Sequence, residues 1–330
     1  MSCTRGLARC SPARSVSLNA VILVGLLVLS ACGSGPNAAD PTRAAAPSAA
    51  APTSVAPLDC TPRPTTGSSE DSARSPTFRA VPGRLPAPGA AEVGGVTLPP
   101  GRQVQNADGV AVAWLGTDVL SEHRLTGLIR DLTGAFSRTG LWPMRIPTQY
   151  RSSSTLEPPW PDTGPPLSLT AVPTAQAVYE RLCRDHARYS ADLEPMVPPV
   201  TSLARRQPGP ELTPSRLRIA QGGGLLLVPV ARPADVPAAL GWLGATNSQL
   251  TGADITAVLR SWEDRFEAVL VSIGWDTLEV QIGNRPETTQ QRGKLVSEHY
   301  WICPDNFAAS VPETYSQGLS TWDRWSFWWD

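Results

Sequence analysis

Ile255-Thr256-Ala257-Val258-Leu259-Arg260-Ser261-Trp262-Glu263-Asp264-Arg265-Phe266 decides the fold class, together with Ala268–Ile273, Gly274-Trp275-Asp276 and Thr277–Ile282 behind it. Ile255, Val258, Leu259, Trp262 and Phe266 recur at helical spacing and make one buried stripe, with Arg260, Glu263 and Asp264 facing away. Ala268-Val269-Leu270-Val271-Ser272-Ile273 and Thr277-Leu278-Glu279-Val280-Gln281-Ile282 flank a short turn, and the second run alternates by face, so the pair reads as a hairpin. A one-sided helix must bury its stripe against another element, and a sheet built from the adjoining strands offers that layer.

Outward from this block the same grammar repeats. Gly223-Gly224-Leu225-Leu226-Leu227-Val228-Pro229-Val230 is a buried-strand pattern, followed by a helical segment over 233–244. The three glycines at 222–224 precede that strand and lack Gly-Lys-Ser/Thr, so they are not a phosphate loop. Upstream, Val96–Leu98 and Val110–Leu115 read as strands. A helix from Ser121 carries Leu125, Leu128, Ile129, Leu132 and Phe136 on one face; Thr139-Gly140 ends it, and Leu141–Ile146 is the next strand. Downstream come a helix over 287–300 and a last helix over 312–321. The expected fold is α/β (or α+β), a single globular head over 93–330 with a mixed sheet and packed helices. A Pro-rich insertion spans 147–222. Within it a helix over 174–189 turns Val178, Leu182 and Cys183 inward and leaves Glu180, Arg181, Arg184, Asp185 and His186 solvated.

The 330 residues include 28 Lys+Arg against 29 Asp+Glu, so the chain has no basic surplus with which to neutralise nucleic-acid phosphates. Hydrophobic residues at 41% suffice for a core, while 34 prolines and 27 glycines require long irregular stretches.

The first 31 residues read as an export signal. Arg5, Arg9 and Arg14 precede the apolar run Ala20–Leu29, which is about half of what a helix needs to cross ~30 Å of hydrocarbon. Leu29-Ser30-Ala31-Cys32 then resembles the bacterial lipobox, which implies diacylglyceryl transfer to Cys32, cleavage before it, and a cell-membrane, lipid-anchored location on the extracytoplasmic face. Residues 32–92, Pro/Ala/Ser-rich, are expected to be a disordered linker. After removal of Cys3 and Cys10 and acylation of Cys32, Cys60, Cys183 and Cys303 remain in an oxidising compartment and allow one internal disulfide. Cys60 with Cys183 is the favoured pair, since both lie in segments resembling surface additions; the other pairings stay open.

Leu259-Arg260-Ser261-Trp262-Glu263-Asp264-Arg265-Phe266, Glu298-His299 shortly before Cys303-Pro304-Asp305-Asn306, and the terminal Trp325-Ser326-Phe327-Trp328-Trp329-Asp330 resemble the family called domain of unknown function 4253. Thr139-Gly140-Leu141-Trp142-Pro143 also fits its amino-terminal half, so the resemblance covers about 100–150 and 223–330. It implies an α/β fold and no mechanism.

Chemistry must therefore be sought in the residues. Glu298, His299, Cys303 and Asp305 are the one group with catalytic potential, because a histidine oriented by a carboxylate can activate a thiol. His299 and Cys303 are four apart, but Pro304 disfavours helical geometry at Cys303, and a structural turn explains the same letters. Trp322, Trp325, Trp328 and Trp329 either stack on a ligand such as a glycan or seal a core against the sheet. With His123, His186 and His299 as the only histidines, no metal site and no cofactor is expected. The functional expectation is a binding or interaction module of the cell envelope, its partner an envelope protein or glycan and not nucleic acid. The alternative is a hydrolase or transferase using His299 with Cys303 or nearby acids, which requires those two side chains within hydrogen-bond reach in an open cleft.

Overall fold

A computed structural model describes residues 58–63, 76–106, 108–148, 156, 171–190, 193–307 and 311–330, all within the unit Ser54–Asp330. The leader over 1–31, Cys32 and the linker up to residue 57 lie outside the described residues.

Glu92–Val93 (β1) and Val96–Thr97 (β2) pair only with each other. Gly101–Gln105 (β3), Ala111–Gly116 (β4), Leu141–Ile146 (β5), Gly224–Pro229 (β6), Val269–Ile273 (β7), Thr277–Gln281 (β8) and Arg324–Trp328 (β9) form a sheet in the order β3-β4-β6-β5-β7-β8-β9. It is mixed: β5 and β7 run parallel, and the other neighbours are antiparallel. The helices are Glu122–Thr139 (α1), Ala175–Tyr189 (α2), Val236–Leu240 (α3), Gly252–Phe266 (α4), Thr289–Ile302 (α5) and Pro312–Leu319 (α6). The order strand, helix, strand expected around α1 is present, but β6 inserts between β4 and β5, antiparallel to both.

Local chemistry sets the helix ends. Thr251 and Asp254 form a capping box at the start of α4, and Thr288 and Gln291 do the same for α5, so first-turn N–H groups without intrahelical partners are satisfied by side chains. Gly140 ends α1 in the left-handed region at φ 61°, and a Cβ there would lie 1.9 Å from the Val81 carbonyl oxygen. Only glycine permits both the turn and that close approach.

The approaching segment was expected to be linker. Residues 76–92 instead belong to the head. Gly83 N–H donates to Gly140 O at 3.1 Å, Ala80 N–H donates to Ala231 O at 2.9 Å, and Phe78 is buried with its ring 5.3 Å from that of Trp142. The Pro-rich letters concealed a phenylalanine that finds its pocket only in the folded chain. Further back, Cys60 and Cys183 form the favoured disulfide, with Cα atoms 5.7 Å apart, tying this strand of chain to α2.

Three further expectations change. The segment over 233–244 is a 3-10 turn (Pro233–Asp235) plus the short α3, stopped by Gly241 at φ 63°. Two sheet strands, β3 and β9, were not read from the sequence. In β9, Trp325 and Phe327 turn inward and Ser326 and Trp328 outward, a period of two hidden by having aromatic residues on both faces. Glu263 does not face away: its carboxylate is buried and accepts from Arg232 Nε at 2.6 Å, while Asp264 takes the other side of the same guanidinium. Arg260 likewise donates to the buried Asp235 at 2.7 Å. These charges point at the turn before α3, so α4 is enclosed on most of its circumference. Burial pushes the Glu263 carboxyl up, to about 8, against the opposing pull of Arg232.

Phe78→Ala should destabilise the head by about 3–4 kcal/mol in urea denaturation followed by circular dichroism. A loss below about 0.5 kcal/mol would show that residues 76–92 merely lie on the surface.

Candidate functional site

Of the residues picked out for catalysis, Glu298, His299 and Cys303 lie inside the protein and Asp305 is half-buried. Glu298 and His299 sit on adjacent positions of α5, and both are fully buried. The Glu298 carboxylate accepts from Arg265 Nη2 at 2.6 Å and Nη1 at 3.0 Å, from Trp262 Nε1 at 2.8 Å and from the Ala204 amide at 2.7 Å. A forked guanidinium, an indole and a backbone N–H saturate both oxygens, so no lone pair is left to orient the neighbouring imidazole. Arg265 also donates to the Ala204 carbonyl at 2.8 Å, stitching the irregular chain near residue 204 to α4 and α5.

His299 lies in a box of rings: Trp325 at 4.6 Å, Trp262 at 4.7 Å, Phe327 at 5.0 Å and Tyr315 at 5.7 Å between centroids. Its Nδ1 pairs with the Tyr315 hydroxyl at 3.0 Å, and Nε2 has no hydrogen-bond partner. Burial, reinforced by the Arg265 charge, holds its pKa well below the usual histidine value, so the ring is neutral.

Cys303 caps α5, and as expected the helix stops before Pro304. Its thiol donates to the Trp328 carbonyl at 3.0 Å and contacts Asn306 Oδ1 at 3.4 Å; burial pushes the thiol pKa up to about 12. Asn306 Nδ2 donates to Ser326 O at 2.8 Å, and Asn306 Oδ1 accepts from the Trp328 amide at 3.2 Å. Asp305 accepts from the Asp330 amide at 3.2 Å. Cys303-Pro304-Asp305-Asn306 therefore acts as a clasp along the outer edge of β9. Side chains take the hydrogen bonds another strand would otherwise make, a common way of blunting a sheet edge. Cys303 is a thiol donor here, not a thiolate, and no hydrogen bond links it to the His299 ring.

The tryptophans divide. Trp325 and Trp329 are core residues, and the Trp329 indole donates to the Ile302 carbonyl at the end of α5 at 2.7 Å. Trp322 and Trp328 are 40% and 46% exposed. Trp275, in the β7–β8 turn and not singled out from the sequence, is more exposed at 57%.

A roomy concavity lies elsewhere among the described residues. Residues 207–218 and 281–287 face each other across an open cleft of about 660 Å³, a size suited to a small organic ligand. Arg216, Arg218 and Arg285 line it with Gln281, Glu287 and Asp323. Its walls hang from the end of α4. Gln207 N–H donates to Arg265 O at 2.9 Å, Asn284 N–H to Phe266 O at 2.9 Å and Gly283 N–H to Glu267 O at 3.1 Å, while the Leu212 amide donates to the Glu267 carboxylate. Glu267 adopts a left-handed φ of 49°, uncommon without glycine, and these bonds hold it there. Gln281, from β8, accepts from the Arg218 amide at 2.8 Å and donates to Arg216 O at 2.9 Å. The sequence signal that could have found this wall is Arg216-Leu217-Arg218-Ile219, in which Leu217 and Ile219 are buried and the alternate arginines exposed.

Residues 224–330 match the model of the domain of unknown function DUF4253. The match takes in β6 to β9 and α3 to α6, including Arg285, but neither Arg216 and Arg218 nor the segment at 139–143. No curated protein and no solved structure matches the chain. Among the described residues no cluster of three or more His, Cys, Asp or Glu could hold a metal ion, and no helix is long and apolar enough to cross a membrane.

Glu298→Gln should cost about 3–5 kcal/mol in chemical denaturation, because it leaves the guanidinium of Arg265 without its counter-charge. His299 gives a pH signature. Its folded pKa is depressed, so its contribution is complete above the unfolded value near ~6.5 and is lost as pH falls below that, by up to ~1.4 kcal/mol per pH unit. Stability measured between pH 7 and 5 should fall more steeply for the native chain than for His299→Gln.

Proposed function

We propose that this protein is a lipid-anchored binding module of the cell envelope, held on the extracytoplasmic face through an acylated Cys32, with the 207–218/281–287 cleft as its ligand site. The observation that carries the binding role is the open cleft of about 660 Å³ set against a core that encloses His299 and the Cys303 thiol. Catalysis by His299 and Cys303 would need both groups at one solvent-accessible point, and each is buried and bonded to a different partner. The location rests on the basic, apolar and Leu-Ser-Ala-Cys sequence of residues 1–32. The Cys60–Cys183 disulfide is in keeping with it, since such bonds persist where the surroundings are oxidising.

Two measurements on the full-length protein test the proposal. Intact-mass spectrometry after detergent extraction should find a chain beginning at an acylated Cys32, and Cys32→Ala should leave the leader attached; an unmodified sulfur in the native chain refutes the anchor. Ligand captured from solubilised envelope should be lost on Ser215→Trp, which fills the cleft from an exposed position. Equal capture by that variant refutes the site.

A further inference from the structure

We infer that the ligand of the cleft carries an organic oxyanion, a carboxylate or a phosphate, seated among the guanidinium groups of Arg216, Arg218 and Arg285. This rests on the proposed role of the cleft as the ligand site.

The inference comes from three arginines without ion pairs that line one concavity. Around α4, Arg181, Arg232, Arg260 and Arg265 each hold a carboxylate within ion-pair distance. Arg216, Arg218 and Arg285 converge on one concavity but make no ion pair with any described residue. Two of them are steadied by backbone carbonyls instead: Arg285 Nε donates to Trp322 O at 3.0 Å, and Arg216 Nη1 to Glu211 O at 3.4 Å. Each of these guanidiniums has five N–H groups, so most of the donors of both remain uncommitted. The side chain of Arg218 makes no hydrogen bond with a described residue. Arg324, whose Nη2 donates to the Arg218 carbonyl at 2.9 Å, adds a fourth positive charge beside the wall.

Glu287 and Asp323 also line the cleft, and Glu279, on β8 with Gln281, has a buried, unpartnered Oε2. None of these carboxylates comes within 4 Å of a guanidinium nitrogen of a described residue, so none forms an ion pair with the cleft arginines. Arginine forks left unpaired around one cavity match the two-oxygen geometry of carboxylate and phosphate, and a concave wall focuses their field. Glu287 and Asp323 can accept from hydroxyl groups on the rest of the molecule, which suits a polyhydroxylated body such as an acidic or phosphorylated sugar. The cavity volume accommodates one or two such rings.

The test is calorimetric titration of the full-length protein with glucose 1-phosphate, glucuronate, inorganic phosphate and glucose at low salt. Binding of an anionic sugar without binding of glucose, weakened about 10-fold by Arg216→Ala or Arg218→Ala and further by added salt, supports the inference. The stronger of glucose 1-phosphate and glucuronate identifies phosphate or carboxylate as the group recognised. Both arginines are exposed, so their loss should leave the thermal melting curve unchanged. If glucose binds as well as its anionic counterparts, is indifferent to both arginine variants and is lost on Ser215→Trp, the oxyanion inference falls while the cleft remains the ligand site. If no anion binds, or if anion binding survives Ser215→Trp, the inference is overturned.

Discussion

A carboxylate sealed away from water must find its donors inside the protein, and Glu298 finds four. Two come from Arg265, one from Trp262 and one from the amide of Ala204. Those donors belong to α4 and to the chain around residue 204, while the acceptor belongs to α5. Meeting the electrostatic demand of one side chain therefore fixes three segments against each other. Replacing such a pair by apolar residues of equal volume can be harmless, whereas removing one member is costly. The constraint is thus one of position. With Arg265 held, the last turn of α4 has a defined place from which both cleft walls are suspended through the carbonyls of Arg265, Phe266 and Glu267.

The aromatic residues act on the same region from the sheet side. Trp262 stacks on Phe327 at 5.2 Å and meets Trp325 edge-on at 5.5 Å, so β9 is pinned beneath α4 and α5. Because strand side chains alternate, the opposite face of β8 and β9 carries Glu279, Gln281 and Arg324, away from the aromatic core. Gln281 uses that placement to hold residues 216–218. One face of the β8–β9 pair closes the core, and the other supports the arginine wall.

Much of this was legible from the letters. The stripe on α4, the stripe on α1 with its glycine stop, the β7–β8 hairpin and the pairing of Cys60 with Cys183 all correspond to what is seen. These features are local, or depend on a reactive residue of which few copies exist. What escaped depends on distant partners. Glu263 looks solvated until Arg232, thirty-one residues earlier, is placed against it. Glu298 and His299 deprive α5 of any visible apolar stripe although both are buried, because their compatibility with the core comes from Arg265 and from the surrounding rings. The letters Cys303 to Asn306 fit a structural turn as well as a nucleophile and its neighbours; only the position of β9 reveals them as an edge clasp. The cleft arginines were hidden for a related reason, since their partner strand lies more than sixty residues on at Gln281.

The Cys60–Cys183 bond joins positions 123 residues apart in the chain. Tension applied upstream of Cys60 crosses that covalent link directly to α2. Everything threaded between the two sulfurs, from Phe78 through β5, is shunted out of the load path. The domain can be tugged from its amino-terminal side without peeling its first five strands, provided the two sulfurs stay oxidised.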